Sequence, residues 1–359
     1  MTGSPTSSRP GLAVTLVGGS LATTSARAAR LLSGAPAANA AREVDRPGTD
    51  SAEFADELAT DLVAAWEDGL RGDVVIALEP EADVTELALV LEFVLDSHRP
   101  SVPVVVRDVV AVTSVHEVMS TLLGSSGTGG PGAADEDVDL PGRLARRLEF
   151  ASIVLLTDVS WSAAPAGTRH VTDLLSHLAP GATIVSESSL LSVRSPTAPL
   201  RRGRAHRLGA SMGWQQRLAG RGPSSQSRRG ISAHVFRDPR PFHPERLMHA
   251  VAHVLVPDQV GRIARSRGFT RLATRPGVVG SWASAGEVLD LDPTAVPTWD
   301  VDSPAGQEIV FFGLDLDGAA LDAALGACLL SPGELLAGPM SWGTYADPFP
   351  EWPAAHHHH

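Results

Sequence analysis

Leu12-Ala13-Val14-Thr15-Leu16-Val17, followed by Gly18-Gly19-Ser20-Leu21-Ala22-Thr23-Thr24-Ser25, decides the architecture of this chain. The first six residues form a short apolar run with β-branched members and read as a strand. Gly18-Gly19-Ser20 turns the chain, and Ala22 to Leu32 then reads as a helix. The alternation repeats downstream. Asp73 to Leu78, Val102 to Val106, Val109 to Val112, Ala151 to Leu156 and Ala182 to Val185 read as strands. Glu53 to Trp66, Thr85 to Leu95, Pro141 to Phe150 and Val171 to Leu178 read as helices. Continuously apolar strands alternating with helices predict an α/β domain over residues 11–190, its parallel sheet covered on both faces.

Residues 191–230 break the pattern. They carry Arg201, Arg202, Arg204, Arg207, Arg217, Arg221, Arg228 and Arg229, and no acidic residue stands between Glu187 and Asp238. This reads as a basic linker, partly helical around Met212 to Leu218. Such a segment binds RNA phosphate or is a solvated connector. Both readings stay open. From Ile231 the style changes again. Strands at Ile231 to Phe236, Gly261 to Thr274, Val278 to Leu291 and Glu308 to Gly313 accompany a helix opened by Pro244 and another from Gly318 to Leu330. That order predicts a smaller α+β domain over residues 231–352 with an antiparallel sheet. Residues 1–10 read as a disordered start, Gly124 to Asp137 as a mobile loop, and His356 to His359 as a partial purification tag.

Composition closes several routes. The 359 residues include 29 basic ones, all arginine, and no lysine. Schiff-base chemistry is excluded, as is a lysine on a nucleotide's β- and γ-phosphates. A net charge of -12 argues against wholesale nucleic-acid binding. The single cysteine, Cys328, permits neither an internal disulfide nor a multi-thiolate zinc site, and its apolar setting reads as inert core. Trp282, Trp299, Trp342 and Trp352 read as packing for the second domain's sheet, or as a partner anchor if a pair is exposed. Met1 to Arg9 lacks the blocks of a signal peptide and no apolar run reaches a membrane span, so the expected location is cytoplasmic.

His234-Val235-Phe236-Arg237-Asp238-Pro239-Arg240-Pro241-Phe242-His243-Pro244-Glu245-Arg246-Leu247 resembles the F-x-x-R-P-F-H-P-E-R-L signature of the CobW C-terminal domain. Arg265 to Arg275, Glu308 to Gly313 and Ala327 to Leu330 fit the same domain in order. The resemblance implies a P-loop GTPase-like domain before it and a role in metal delivery. The family loop G-x-x-x-x-G-K-[ST] is matched by Gly18 to Ser25, where Thr23 replaces the second glycine and Thr24 the lysine. Gly18, Gly19, Thr23, Thr24 and Ser25 are therefore expected to form a vestigial nucleotide loop, with Ser25 at the magnesium position. The guanine-reading N-K-x-D motif is replaced by Thr157-Asp158-Val159-Ser160, and the Cys-x-Cys-Cys metal motif is absent. Glu79 to Asp83 keeps acidic character at the switch position and no signature.

These departures point to a non-hydrolysing adaptor with no catalytic residue of its own. They resemble a degenerate actinobacterial branch of the family that includes the mycobacterial factor recruiting a hibernation protein to ribosomes under zinc starvation. The alternative is a divergent GTP-dependent zinc metallochaperone using an arginine from elsewhere, with GTP, magnesium and zinc as its implied ligands. Glu245, His249 and His253 stand at successive i, i+4 positions, which sets two imidazoles on one helical stripe as a metal pair or as a plain polar face.

Overall fold

The computed structural model describes residues 11–33, 42–44, 51–98, 102–124, 140–159, 166–192, 212–222, 230–301 and 303–352. Arg201, Arg202, Arg204, Arg207, Arg228 and Arg229 lie outside the described residues. So do the expected disordered start, nearly all of the loop after Gly124, and the terminal histidines. The chain divides into a unit of Met1–Glu117, Arg146–Thr168 and Gly181–Met212 and a unit of Val118–Ala145, Arg169–Pro180 and Gly213–His359. The units thus interleave along the sequence.

The first sheet has strands β1 (Leu12–Gly19), β2 (Arg42–Val44), β3 (Gly72–Leu78), β4 (Val104–Thr113), β5 (Ile153–Leu156) and β6 (Thr183–Ser186). All are parallel, in the order β2-β3-β1-β4-β5-β6. Helices α1 (Ala22–Ser33), α2 (Ser51–Glu67), α3 (Val84–His98), α4 (Val115–Leu122), α5 (Leu140–Phe150), α6 (Ala166–Leu178) and α7 (Glu187–Ser192) connect them. Successive strand residues point to opposite faces. Leu12, Val14 and Leu16 accordingly join a core with Leu58 and Leu62 of α2 and Leu87 and Leu91 of α3. Val17 joins a separate core with Ala28, Ala29 and Leu32 of α1.

The two strands read at Val102 to Val106 and Val109 to Val112 are one. Pairing steps from Val14↔Val106 to Thr15↔Asp108, leaving Arg107 as an extra residue in β4. Such a bulge re-aims a side chain. Arg107 turns to Asp73 (2.5 Å), Asp108 (3.0 Å) and Thr15 (3.3 Å).

The second sheet is antiparallel and five-stranded: β7 (Ile231–Asp238), β8 (Arg262–Thr270), β9 (Val278–Ala285), β10 (Val288–Pro297) and β11 (Gln307–Leu314), in the order β10-β9-β8-β11-β7. Val278 to Leu291, read as one strand, is a hairpin turning at Gly286-Glu287, with Gly286 at φ 57°. The left-handed backbone there suits glycine. The accompanying helices are α8 (Gly213–Leu218), α9 (Pro244–His253), α10 (Pro257–Val260), α11 (Gly318–Cys328) and α12 (Pro332–Trp342). Trp282 is 2% exposed and packs with Phe242, Phe311, Leu321 and Leu325. Trp299, expected among the packing tryptophans, is 82% exposed. Helix α8 falls where the linker was read as partly helical, around Met212 to Leu218, and it buries Trp214 edge-on to Phe269 with Arg267 over its ring. A flexible connector would not bury its aromatic residue.

Helix α12 opens on a capping box. Glu334 N–H donates to Ser331 Oγ, and the Glu334 carboxylate accepts from Ser331 N–H (2.7 Å) and from Arg246 (2.8 Å). Burial disfavours the charged carboxylate, but the Ser331 and Arg246 donors outweigh it and bring its pKa to about 2. A carboxyl depressed in the folded state stabilises above its unfolded pKa, and that contribution is lost as pH falls through the folded value. Melting temperature should therefore fall less between pH 4.5 and 2 in Glu334→Gln than in the parent. Equal falls in the two proteins would remove this contribution.

Candidate functional site

In an open parallel sheet, ligands bind beyond the carboxyl ends of the strands where strand order reverses. Here the reversal lies at β1, flanked by β3 on one side and β4 on the other. A crevice of about 240 Å³ opens at that place. Ser20 and Thr24 line it from the β1–α1 turn, Thr113, Ser114 and Glu117 from the end of β4 and the start of α4, and Thr157 from beyond β5.

The turn is tighter than a phosphate cradle. Strand β1 runs through Gly19, and α1 begins at Ala22. The N–H groups of Thr24 and Ser25 both donate to Leu21 O at 3.1 Å, so the helix closes immediately. Gly18 and Gly19 are absent from the positive-φ glycines. Their need is spatial: a Cβ on Gly19 would stand 2.9 Å from Ser25 Oγ and one on Gly18 3.3 Å from Val84 Cβ. Thr23 is exposed in the first helical turn, where no positive φ is required. Ser25, expected at a magnesium position, is fully buried and donates back to Leu21 O at 3.3 Å. Thr24, expected to replace the lysine, does line the crevice.

Two residues that the sequence did not single out dominate the site. The Glu117 carboxylate accepts from Ser20 Oγ and from Thr113 Oγ1 (2.7 Å). Arg147, 6% exposed, donates to Ser20 Oγ at 3.2 Å. An acid thus sits beside the turn where the resemblance places a phosphate, with a guanidinium alongside. Glu117 had a legible signal, since Ser114-Val115-His116-Glu117 is an S-x-x-E start for the unread helix α4, and Glu117 N–H donates to Ser114 Oγ at 2.9 Å. Nothing in the sequence separates Arg147 from Arg146 beside it.

The acidic residues at the other motif positions serve as helix caps. Asp158 accepts from Val115 N–H (2.8 Å) and His116 N–H (3.2 Å) at the start of α4. Asp83 accepts from Thr85 and Glu86 N–H at the start of α3.

In the second unit, Glu245, His249 and His253 are exposed along α9, and the two imidazole centres stand 5.0 Å apart. Among the described residues no group of three or more His, Cys, Asp or Glu is gathered to hold a metal ion. Cys328 is buried, and burial raises its pKa to about 11, so it stays a thiol. No helix among the described residues is long and apolar enough to cross a membrane.

Residues 231–329 match the model of the cobalamin synthesis protein CobW C-terminal domain, which bears out the resemblance read from His234 to Leu247. The chain is 28% identical over 248 residues to the zinc-regulated GTPase metalloprotein activator 1 of Dictyostelium discoideum. That match covers 60% of this chain and spans half the length of the relative. Two solved structures are similar at 14% identity, each over 90% of this chain and 100% of its own: the zinc-bound YjiA GTPase from E. coli (TM-score 0.35) and a zinc-bound triple mutant of YjiA (TM-score 0.37).

Proposed function

We propose that this chain is a divergent GTP-dependent zinc metallochaperone in which arginine replaces the phosphate-binding lysine. One observation carries the reading: Arg147 reaches the exit of β1 and donates to Ser20 in a chain without lysine. A guanidinium pairs two phosphate oxygens at once, and Ser20, once released by Glu117, adds a hydroxyl donor; the Thr24 and Thr157 hydroxyls line the crevice and would have to turn from Leu21 O and Thr113 O to do the same. Glu117 is the group an incoming phosphate would displace from Ser20 and Thr113. The donor set suits a phosphate group, while Asp158 is committed to α4 and leaves the guanine base without a reader. Bound GTP would supply a phosphoanhydride that can be cleaved, and Arg147, Ser20 and Thr24 would orient it. Support also comes from the Dictyostelium relative, whose name joins zinc, GTPase and metalloprotein activation. The 248 matched residues exceed the domain at 231–329, so that similarity is not confined to it.

A second reading, the non-hydrolysing adaptor, is favoured by the crevice itself. At about 240 Å³ it is smaller than the roughly 300–1,000 Å³ of common ligand pockets, and it holds the Glu117 carboxylate. Its finer form is a ribosome- or hibernation-linked partner met by Arg201, Arg202, Arg204 and their neighbours.

Calorimetry with GTP and magnesium, paired with phosphate release, separates the two readings. The metallochaperone reading expects micromolar binding with turnover. Glu117→Gln should tighten it about tenfold by removing a like charge, and Arg147→Ala should weaken it about tenfold or more. No heat up to millimolar GTP in the parent and in Glu117→Gln would leave the adaptor. Ribosome pelleting across a salt series would then test the arginines.

A further inference from the structure

We infer that His249 and His253 form a two-imidazole site for a late first-row divalent cation on the outer face of α9, with zinc as the probe ion. The inference uses none of the crevice residues and goes beyond the nucleotide reading. It begins with how the helix is turned. Leu247 and Ala250 are buried in the second unit's core, with Met248, Val251 and Val254 packed against it. That fixes the rotation of α9 and leaves Glu245, His249 and His253 facing outward. Side chains four apart lie one above the other and lean toward the helix N-terminus, so the two rings share one patch of surface.

The separation of the rings is the quantitative point. A zinc–nitrogen bond is about 2.0–2.1 Å, and a ring centre lies about 1.1 Å beyond its nitrogen. Two imidazoles on one tetrahedral ion therefore hold their centres about 5 Å apart, and at a right angle about 4.5 Å. His249 and His253 stand at 5.0 Å, with their planes inclined by 58°. The centre separation matches that of two imidazoles on one ion, the rings being turned about their side-chain torsions to aim a nitrogen each at it, and no hydrogen bond between either ring and another described residue must be broken.

The donor set selects the cation. Imidazole suits zinc, copper and nickel, whereas magnesium and calcium require oxygen ligands. Two protein ligands are fewer than the four of a closed structural zinc site. No third His, Cys, Asp or Glu joins them in a cluster among the described residues. The ion would be held at the surface with coordination positions open to water or to a donor on another molecule. That chemistry fits exchange better than permanent storage.

The test uses the full chain with His356, His357, His358 and His359 each replaced by Ser, so that terminal imidazoles do not compete. Zinc is titrated against a chromophoric chelator, and cobalt(II) is used as a spectroscopic probe. One zinc per chain is expected to bind in the micromolar range, and tetrahedral cobalt absorption should appear. His249→Ala and His253→Ala should each weaken binding by about tenfold or more and remove the cobalt signal. His253→Gln, which keeps a polar helix-forming side chain, should behave as His253→Ala does. Glu245→Gln removes a charge one turn away but no ligand, and should have less effect than either histidine variant. The zinc-free variants should melt with the parent, because both histidines are exposed. The inference is overturned if the parent shows no binding up to about 100 μM zinc, or if either histidine variant binds as tightly as the parent.

Discussion

Trp282→Ala is expected to lower the stability of the second unit by about 3–5 kcal/mol, the range for truncating a fully buried aromatic side chain. Trp282 lies at the centre of that unit's core, edge-on to Phe311 at 6.4 Å and tilted against Phe242 at 6.5 Å. Its indole N–H donates to Ser266 Oγ at 2.7 Å, so its one polar group is also satisfied. The alanine variant would lose the apolar contacts and that hydrogen bond, and leave a cavity beside Phe242 and Phe311. Guanidinium unfolding followed by hydrogen exchange reads the effect residue by residue. The strands β7 to β11 should lose protection while β1, β3 and β4 keep theirs, because each unit has its own core. Trp282→Phe should recover a substantial part of the loss. An alanine variant within 1 kcal/mol of the parent would refute this account of the core.

Arg107→Ala should cost about 3 kcal/mol in the first unit, the lower end for breaking a buried ion pair, since its side chain keeps 20% exposure. Its partner Asp108 is 3% exposed at the side chain and also accepts from Ser152 Oγ at 2.9 Å. Removing the guanidinium leaves a carboxylate in the sheet without this cation, and desolvation of that charge is the larger part of the cost. Arg107→Ala combined with Asp108→Asn should therefore be less destabilised than the single variant. Additive losses in the double variant would show that the pair is not coupled. Here the protection should fall in β1, β3 and β4 and persist in β7 to β11.

Much of the fold was legible because its signals are local. The mostly apolar, β-branched runs at Leu12 to Val17 and Asp73 to Leu78 are short enough to read as buried strands, and the helices between them point to a parallel sheet. Pro244 opening a helix was equally plain, and α9 begins at that residue. The misreadings were places where one local pattern serves two structures. The bulge at Arg107 made β4 look like two strands. The hairpin at Gly286 made two strands look like one, because the apolar character runs through both arms. Trp299 reads like its neighbours in composition, and only the packing leaves it outside.

What the sequence determined unaided is chemical inventory and local geometry: no ammonium group, one thiol, and two imidazoles one helical turn apart. Only the tertiary structure decided what meets at the exit of β1. Glu117 is 97 residues from Ser20 in sequence and Arg147 is 127 residues away. Their meeting is set by the strand order that places β4 beside β1, and by the helix packing that follows from it. Local pattern carries the period of a helix or strand, but the pairing of distant strands depends on the packing of the whole core, so a carboxylate and a guanidinium converge on one hydroxyl without any adjacent residues announcing it.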